Sequence, residues 1–394
     1  MHRIRAAKGR IDVVTQIRQL NAVQQEVVRT ARDFAANELA PHVAEWDRTG
    51  HFPRDAVDAL GELGFLGMLM PVEWGGSGLD TVTYLLALEE IAKVDPSLAV
   101  SMSVHNSLPS QMLLTYGTDE LKERYLRSMT AGKMLAAFAL SEADAGSDPA
   151  AMMCRAQFDG DRYLLNGAKA WVTNGGTADV IVAMARTSDD GARGISAFVI
   201  EPTWSGFSVG KEEKKMGLKS SNTTEIVFDD LEVPVANRLG EEGHGLKYAL
   251  ASLEHGRLGI AAQALGIAEA CLTLSIEYAR ERRAFGQPIA EFQGLRFQLA
   301  TLAAEVAAAR ALTYAAADKQ DLGDSARKEV SMAKLLASQA AMKAAVNAVQ
   351  VYGGYGYTRD YPVERYFRDA KVTQIYEGTS EIQQLVIASE LFGD

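Results

Sequence analysis

Cysteine is nearly absent: Cys154 and Cys271 are the only two in 394 residues. Two thiols cannot build a disulfide framework for a chain this long. No CxxC or Cys/His spacing suits zinc, and a reducing compartment is the simplest reading. The six histidines are scattered and none pairs at ligand spacing, so no metal is expected. No uninterrupted apolar run reaches about 18 residues, which predicts no membrane span. Basic residues are in deficit, 40 Lys and Arg against 51 Asp and Glu, for a net charge of −11. That sign disfavours a nucleic-acid partner, because such binding rests largely on phosphate neutralisation. It leaves room for local basic spots that hold a phosphorylated small molecule. GxGxxG after a strand, GxxxxGK[ST], HExxH and GxSxG are all missing. Nothing therefore signals a doubly wound nucleotide fold, a nucleoside triphosphate, a metal hydrolase or a serine nucleophile.

What is present has three textures. With 47% hydrophobic and 23% charged residues the composition is that of a globular protein, long enough for two or three domains. Residues 1–130 read as helices over Gln24–Leu39, Asp55–Leu69, Thr81–Val94 and Asp119–Met129, with Thr118 as a cap. Trp74-Gly75-Gly76-Ser77-Gly78 is a loop that follows no strand. Residues 131–240 carry short β-rich runs at Leu135–Leu140, Met153–Phe158, Tyr163–Leu165, Ala170–Thr173, Val180–Ala185, Ile195–Ile200 and Thr224–Phe228. Asp159-Gly160, Asn166-Gly167 and Asn174-Gly175 punctuate them, the pattern of antiparallel hairpins in a small barrel or sandwich. Residues 241–394 return to helix at Leu246–Ala284, Glu291–Lys319, Ser325–Val351, Pro362–Ala370 and Thr379–Leu391, which predicts a bundle. The alanine-rich runs at 303–317 and 337–348 suit close helix packing. The first twenty residues are basic (Arg3, Arg5, Lys8, Arg10 and Arg18 against Asp12) and lack the apolar core of a secretory signal. They read as a plain basic tail in a bacterial cytoplasmic protein, with a mitochondrial-matrix targeting segment as the alternative.

Five strings occur in order: Phe138-Ala139-Leu140-Ser141-Glu142-Ala143-Asp144-Ala145-Gly146-Ser147-Asp148, Trp171-Val172-Thr173-Asn174, Arg282-Arg283-Ala284-Phe285-Gly286, Gln350-Val351-Tyr352-Gly353-Gly354-Tyr355-Gly356-Tyr357 and Ile375-Tyr376-Glu377-Gly378-Thr379-Ser380-Glu381-Ile382-Gln383. Together they resemble the acyl-CoA dehydrogenase flavoproteins, over nearly the whole chain from about residue 20. Through Gly256-Arg257-Leu258-Gly259-Ile260-Ala261 and Gln263-Ala264-Leu265-Gly266 the resemblance is closest to the short-chain (butyryl) members. It implies an α+β fold: an N-terminal all-α domain, a middle antiparallel β-barrel and a C-terminal four-helix bundle. It also implies FAD, an acyl-CoA substrate and conversion to the trans-2-enoyl-CoA, a step of fatty-acid β-oxidation. Electron-transfer flavoprotein as acceptor and a homotetramer built as a dimer of dimers follow from the same resemblance.

Site roles come by the same route. Glu377 is the implied base; from spacing alone it reads as a solvated acid at a helix start. Beside a flavin and an acyl chain it would be shielded from water, and desolvation would raise its pKa. Some relatives carry the base just before the position of Arg257, which is Gly256 here. The Glu377 N–H and a flavin ribityl hydroxyl are the implied oxyanion donors. Phe138, Leu140, Ser141, Gly146, Ser147, Trp171, Val172 and Thr173 are the implied middle-domain contacts to FAD, Ser147 also to substrate. Ala143 stands where the family usually has proline. Arg282 would reach the FAD pyrophosphate and Gln293 would add a further FAD contact; the Arg282, Gln350, Gly353 and Gly354 contacts are the ones the resemblance implies across a dimer interface. Thr379, Ser380 and Glu381 open a helix whose free N–H groups suit a polar cofactor group. Glu254, Arg257 and Gly378 are assigned to substrate; for Arg257 a salt bridge inside the bundle is the bland alternative. Tyr352, Tyr355, Tyr357, Tyr361 and Tyr366 read as core. A branched-chain, aromatic or dicarboxylyl substrate, an oxidase, and a DNA-binding relative without catalysis are the competing readings; the charge and the intact Glu377 speak against the last.

Overall fold

The computed structural model describes residues 18–393, so the basic positions Arg3, Arg5, Lys8 and Arg10 lie outside the described residues. Asn21 starts α1 (Ala22–Phe34) with a capping box: its side chain accepts from Gln24 N–H while the Gln24 side chain accepts from Asn21 N–H. A π-helical turn, Ala35–Leu39, carries the helix to the end expected before Pro41. α2 (Val43–Thr49) and α3 (Arg54–Glu62) follow. α3 stops seven residues before the predicted Leu69. Gly61 packs so closely on the backbone of Gly132 that an added Cβ would lie 2.7 Å from the Gly132 Cα. α4 (Thr81–Ala92), capped by Asp80, is buried at all twelve positions. So is α5 (Pro96–Ser107), capped by Asp95, and α6 (Pro109–Tyr116) continues it. The sequence reading missed α5 and α6. α5 is buried all round but carries Ser97, Ser101, Ser103, His105, Asn106 and Ser107, so neither an apolar stripe nor an apolar run betrays it, and α6 is short. α7 (Asp119–Leu121), a second π turn and α8 (Arg127–Thr130) complete the predicted segment, with the Thr118 hydroxyl accepting from Leu121 N–H.

The middle of the chain forms one eight-stranded sheet: β1 (Ala136–Ala139), β2 (Arg155–Phe158), β3 (Arg162–Thr173), β4 (Val180–Arg186), β5 (Ile195–Ile200), β6 (Phe207–Glu212), β7 (Thr223–Pro234) and β8 (Arg238–Leu239). Its hydrogen-bonded order is β6-β7-β3-β2-β4-β5-β8, with β1 also on β4. Most pairs are antiparallel as expected, but β1 and β2 meet β4 in parallel, which corrects the purely antiparallel barrel. Asn166-Gly167 is not a turn. β3 runs straight through it with a register shift, because Gly167 lies against β2 where a Cβ would sit 2.8 Å from the Cys154 Cα. β6 went unpredicted; it is a mostly exposed strand with little apolar signal.

α9 (Gly245–Glu281) is the spine of the molecule. By length and composition it is apolar enough to cross a membrane, a feature the sequence reading did not register. Yet 78% of its most apolar window is buried inside the protein. The segment after it forms a small hairpin, β9 (Arg283–Ala284) and β10 (Gln287–Pro288). α10 (Gln293–Asp321), α11 (Arg327–Tyr352), α12 (Val363–Val372) and α13 (Ser380–Phe392) follow. Ala337, Ala341, Ala344, Ala345 and Ala348 make the buried seam of α11 against α9. Tyr352 and Tyr361 pack with Tyr278, and the buried Tyr366 donates to the Lys93 carbonyl. Tyr355 and Tyr357 are 50% and 89% exposed, so the expected tyrosine core does not extend to them. Cys154 and Cys271 are buried packing residues.

The N-terminal helices share a core with the bundle. Tyr314, Ala316 and Ala317 of α10 and Val330 and Ala333 of α11 pack into the cluster built by Phe34, Leu85, Leu88 and Leu98. At this junction Arg310 is buried between Glu89 of α4 and Glu269 of α9, and the Tyr314 hydroxyl donates to Glu89. Lys93 pairs with Glu269 at 3.1 Å. Burial alone would raise the Glu269 carboxyl, but Lys93 and Arg310 outweigh it and hold it below the usual range. Its stabilising contribution is thus present above the ordinary carboxylate pKa and is lost as pH falls through the depressed value. Replacing Arg310 with Leu leaves two carboxylates facing each other in the core. The expected loss is about 3–5 kcal/mol in urea denaturation; a loss under about 1 kcal/mol would remove this cluster from the forces joining the two helical layers.

Candidate active site

The site begins with a strained turn. Glu377 has φ +51° and Gly378 φ +92°. A left-handed residue other than glycine costs about 1–2 kcal/mol, so something must hold it. Two carbonyls are gripped from three elements. The Lys334 ammonium of α11 donates to Gly378 O at 2.7 Å. The Gln383 amide of α13 donates to the same oxygen at 2.9 Å and to Glu377 O at 3.3 Å. Arg257 Nε of α9 donates to Glu377 O at 3.4 Å. The Thr379 hydroxyl then caps α13 by accepting from Ile382 N–H.

The carboxyl itself is left alone. Both Glu377 oxygens are buried and accept no hydrogen bond from the described residues. They rest against Gly256 on α9, where any side chain would collide with them. Burial raises the Glu377 pKa to about 7, and the charges of Lys334 and Arg257 restrain the rise. Among the described residues the N–H groups of Glu377 and Gly378 donate to no acceptor. Arg257 is buried and among the described residues forms no ion pair at salt-bridge distance, so the bland bundle-bridge reading does not hold there. Glu254, one turn before it, is half-buried, and burial raises its pKa.

The middle domain supplies a second wall. Lys169 of β3 is wholly buried and donates to Glu142 at 2.7 Å and to Leu140 O at 3.1 Å. Glu142 also accepts from Met153 N and Cys154 N. Ala170 N donates to Ser141 O. This lock sets the Leu140–Ser147 loop beside the end of β3, where Trp171 sits at φ +61° with 61% exposure. Trp171 is therefore not strand core. Val172 is, at 1% exposure, and Leu140 is also largely core. Thr173 is half-buried, and Ser147 and Gly146 are exposed, with open space around Gly146. Phe138 and Tyr376 pack on one cluster with Val104 and Ile260, which brings this wall to the Glu377 turn.

A third group stands apart. Arg282, Gln293, Gln350, Gly353 and Gly354 are all exposed. The Arg282 guanidinium lies 5.8 Å from the Tyr355 ring centre, and open space surrounds both glycines. Arg282 is about 37 Å from Arg257 along α9 at 1.5 Å per residue, so one chain does not bring these residues to Glu377. Sequence reasoning missed Lys169 and Lys334, and gave Gln383 no role although it closes the string around Glu377. Glu142 was part of a quoted string, but nothing marked its partners.

The chain matches three families in order: acyl-CoA dehydrogenase N-terminal domain over residues 21–133, middle domain over 137–231 and C-terminal domain over 243–392. It is 48% identical over 377 residues to an acyl-CoA dehydrogenase of Bacillus subtilis, covering 95% of this chain and 100% of that protein. It is 45% identical over 371 residues to a short-chain specific acyl-CoA dehydrogenase of Clostridium acetobutylicum, covering 94% and 98%. The solved butyryl-CoA dehydrogenase of Megasphaera elsdenii superposes with a TM-score of 0.94 at 43% identity, covering 95% and 99%.

The exposure of Trp171 makes a direct prediction. In cofactor-free protein, Trp171→Ala should change unfolding free energy by no more than about 0.5 kcal/mol, as for an ordinary surface site. A loss of about 3–5 kcal/mol would return the indole to the core.

Proposed function

Because the chain belongs to the acyl-CoA dehydrogenase family, we propose that it oxidises short-chain acyl-CoA thioesters to trans-2-enoyl-CoA, with Glu377 removing the α proton. The enzyme is an FAD-dependent oxidoreductase acting on a CH–CH bond. The residues fit that cofactor. Trp171 offers an uncovered aromatic face, Thr173 stands beside it, and the α13 N-terminus and the open backbone at Gly353-Gly354 suit polar and phosphate groups. Ser141 and the Gly146-Ser147 backbone would line the same wall. When bound, the flavin accepts the β hydride.

The chain's own work is to bind, orient and take the proton. The observation that carries the assignment is the buried carboxyl of Glu377, which has no hydrogen-bond partner among the described residues. A carboxylate already bonded to several donors is a poor base; this one keeps its lone pairs for an incoming proton, and its raised pKa improves the match. The Glu377 N–H, which meets no acceptor among the described residues, would donate to the thioester oxygen, which gains charge as the α proton leaves. Buried surroundings strengthen that hold.

The short-chain reading is supported by the names of the relatives and by Gly256-Arg257 through Gly266. The separation of Arg282 and Gly353-Gly354 from Glu377 supports a site completed by a second copy, in a dimer that pairs into a tetramer. Electron-transfer flavoprotein is the proposed acceptor.

Glu377→Gln should retain FAD absorbance yet fail to bleach anaerobically with butyryl-CoA; retained turnover would sink the base assignment. In the unaltered enzyme kcat/KM should rise with pH and level off above about 7, since the base works ionised. A panel of acyl chain lengths and branches, read by the same bleaching, tests the substrate. Preference for a long or branched chain would replace the short-chain reading.

A further inference from the structure

The geometry points to Lys334 as a positioning residue for Glu377. It pins the Glu377–Gly378 turn through the Gly378 carbonyl and sets a positive charge beside the carboxylate without bonding to it. This rests on the reading of Glu377 as the base.

Lys334 sits on α11 within an alanine-rich stretch and is wholly buried. A buried ammonium is costly unless it is bonded and balanced. Its bond is to a peptide oxygen at 2.7 Å. Burial lowers its pKa to about 8, with Glu377 opposing the fall, so the ammonium stays charged at neutral pH. The charged and titratable groups around this pair act on it directly or through Arg257 and Glu254. Arg257 and Glu254 come from α9, Lys334 and Arg327 from α11, Glu381 and Glu390 from α13, Tyr84 from α4, and Tyr376 precedes the base. Among them Lys334 and Arg257 carry the charges that hold the carboxyl down against burial. Both donate to backbone carbonyls and neither donates to the carboxylate. The arrangement separates two demands. Field from a nearby cation keeps the base ionised, while the absence of a direct hydrogen bond keeps its lone pairs available. Gln383 grips the same carbonyls without charge, which makes it the control.

The test follows the Glu377 carboxyl by its infrared C=O band in the FAD-loaded protein, the band being identified by its loss in Glu377→Gln. Lys334→Met should raise the band's titration midpoint by about one pH unit, the usual size of a lost neighbouring charge. The kcat/KM profile should move with it, about ten-fold lower near pH 6. Lys334→Arg should bring the midpoint back toward its original value, and Gln383→Leu should leave it in place. If Lys334→Met does not fold, Lys334→Gln carries the same comparison, since it keeps a donor and loses the charge. An unmoved midpoint, or an equal shift in Gln383→Leu, overturns the proposal. The base assignment fails separately, through turnover by Glu377→Gln.

Discussion

A carboxylate taken out of water and given no hydrogen bond is among the most expensive groups a protein can hold. The surroundings of Glu377 are organised around that cost. The left-handed turn aims the side chain at Gly256, where the missing side chain leaves it room. Three donors from α9, α11 and α13 act on the neighbouring carbonyls. The helices that carry them must therefore be fixed relative to one another. The alanine seam of α11 against α9 and the buried Arg310 cluster provide that rigidity. Stability of the bundle and reactivity of the site are one problem in this fold.

The same separation of roles appears in the middle domain. The ion pair of Lys169 with Glu142 is buried and never meets the open face. It fixes the Leu140–Ser147 loop to β3 so that Trp171 can stay uncovered. In both walls the polar anchors lie behind the working surface, and the working groups keep free valences.

Much of this was legible in the sequence, for physical reasons that differ from place to place. Helices with one apolar face and a cap, such as α1, and strands with β-rich runs, such as β5, announce themselves by period. α5 does not, because burial on all sides erases the period and its buried serines, His105 and Asn106 break the apolar run that still marks α4. Asn166-Gly167 looks like a turn and is a bulge, since the chain pairs on through a glycine chosen for close approach. Glu377 was legible only through its flanking string; as an isolated acid before a helix it is commonplace. Lys334 carried no signal and Gln383 was only the end of a string, because a lysine near alanines and a glutamine after a helix start look solvent-facing. Their burial depends on α9, α11 and α13 coming together, which no local window contains.

The shared core also bears on how the chain is made. The helices α1, α3, α4 and α5 leave the ribosome long before Tyr314, Ala317 and Val330, which close their core, have been synthesised. Until then an apolar face lined by Leu85, Leu88 and Leu98 has no partner. The whole middle sheet must be translated while it waits. Newborn chains of this protein therefore pass through an interval of exposed hydrophobic surface, a state that invites aggregation and chaperone capture. Its yield in a cell is set by that delay as well as by the stability of the finished fold.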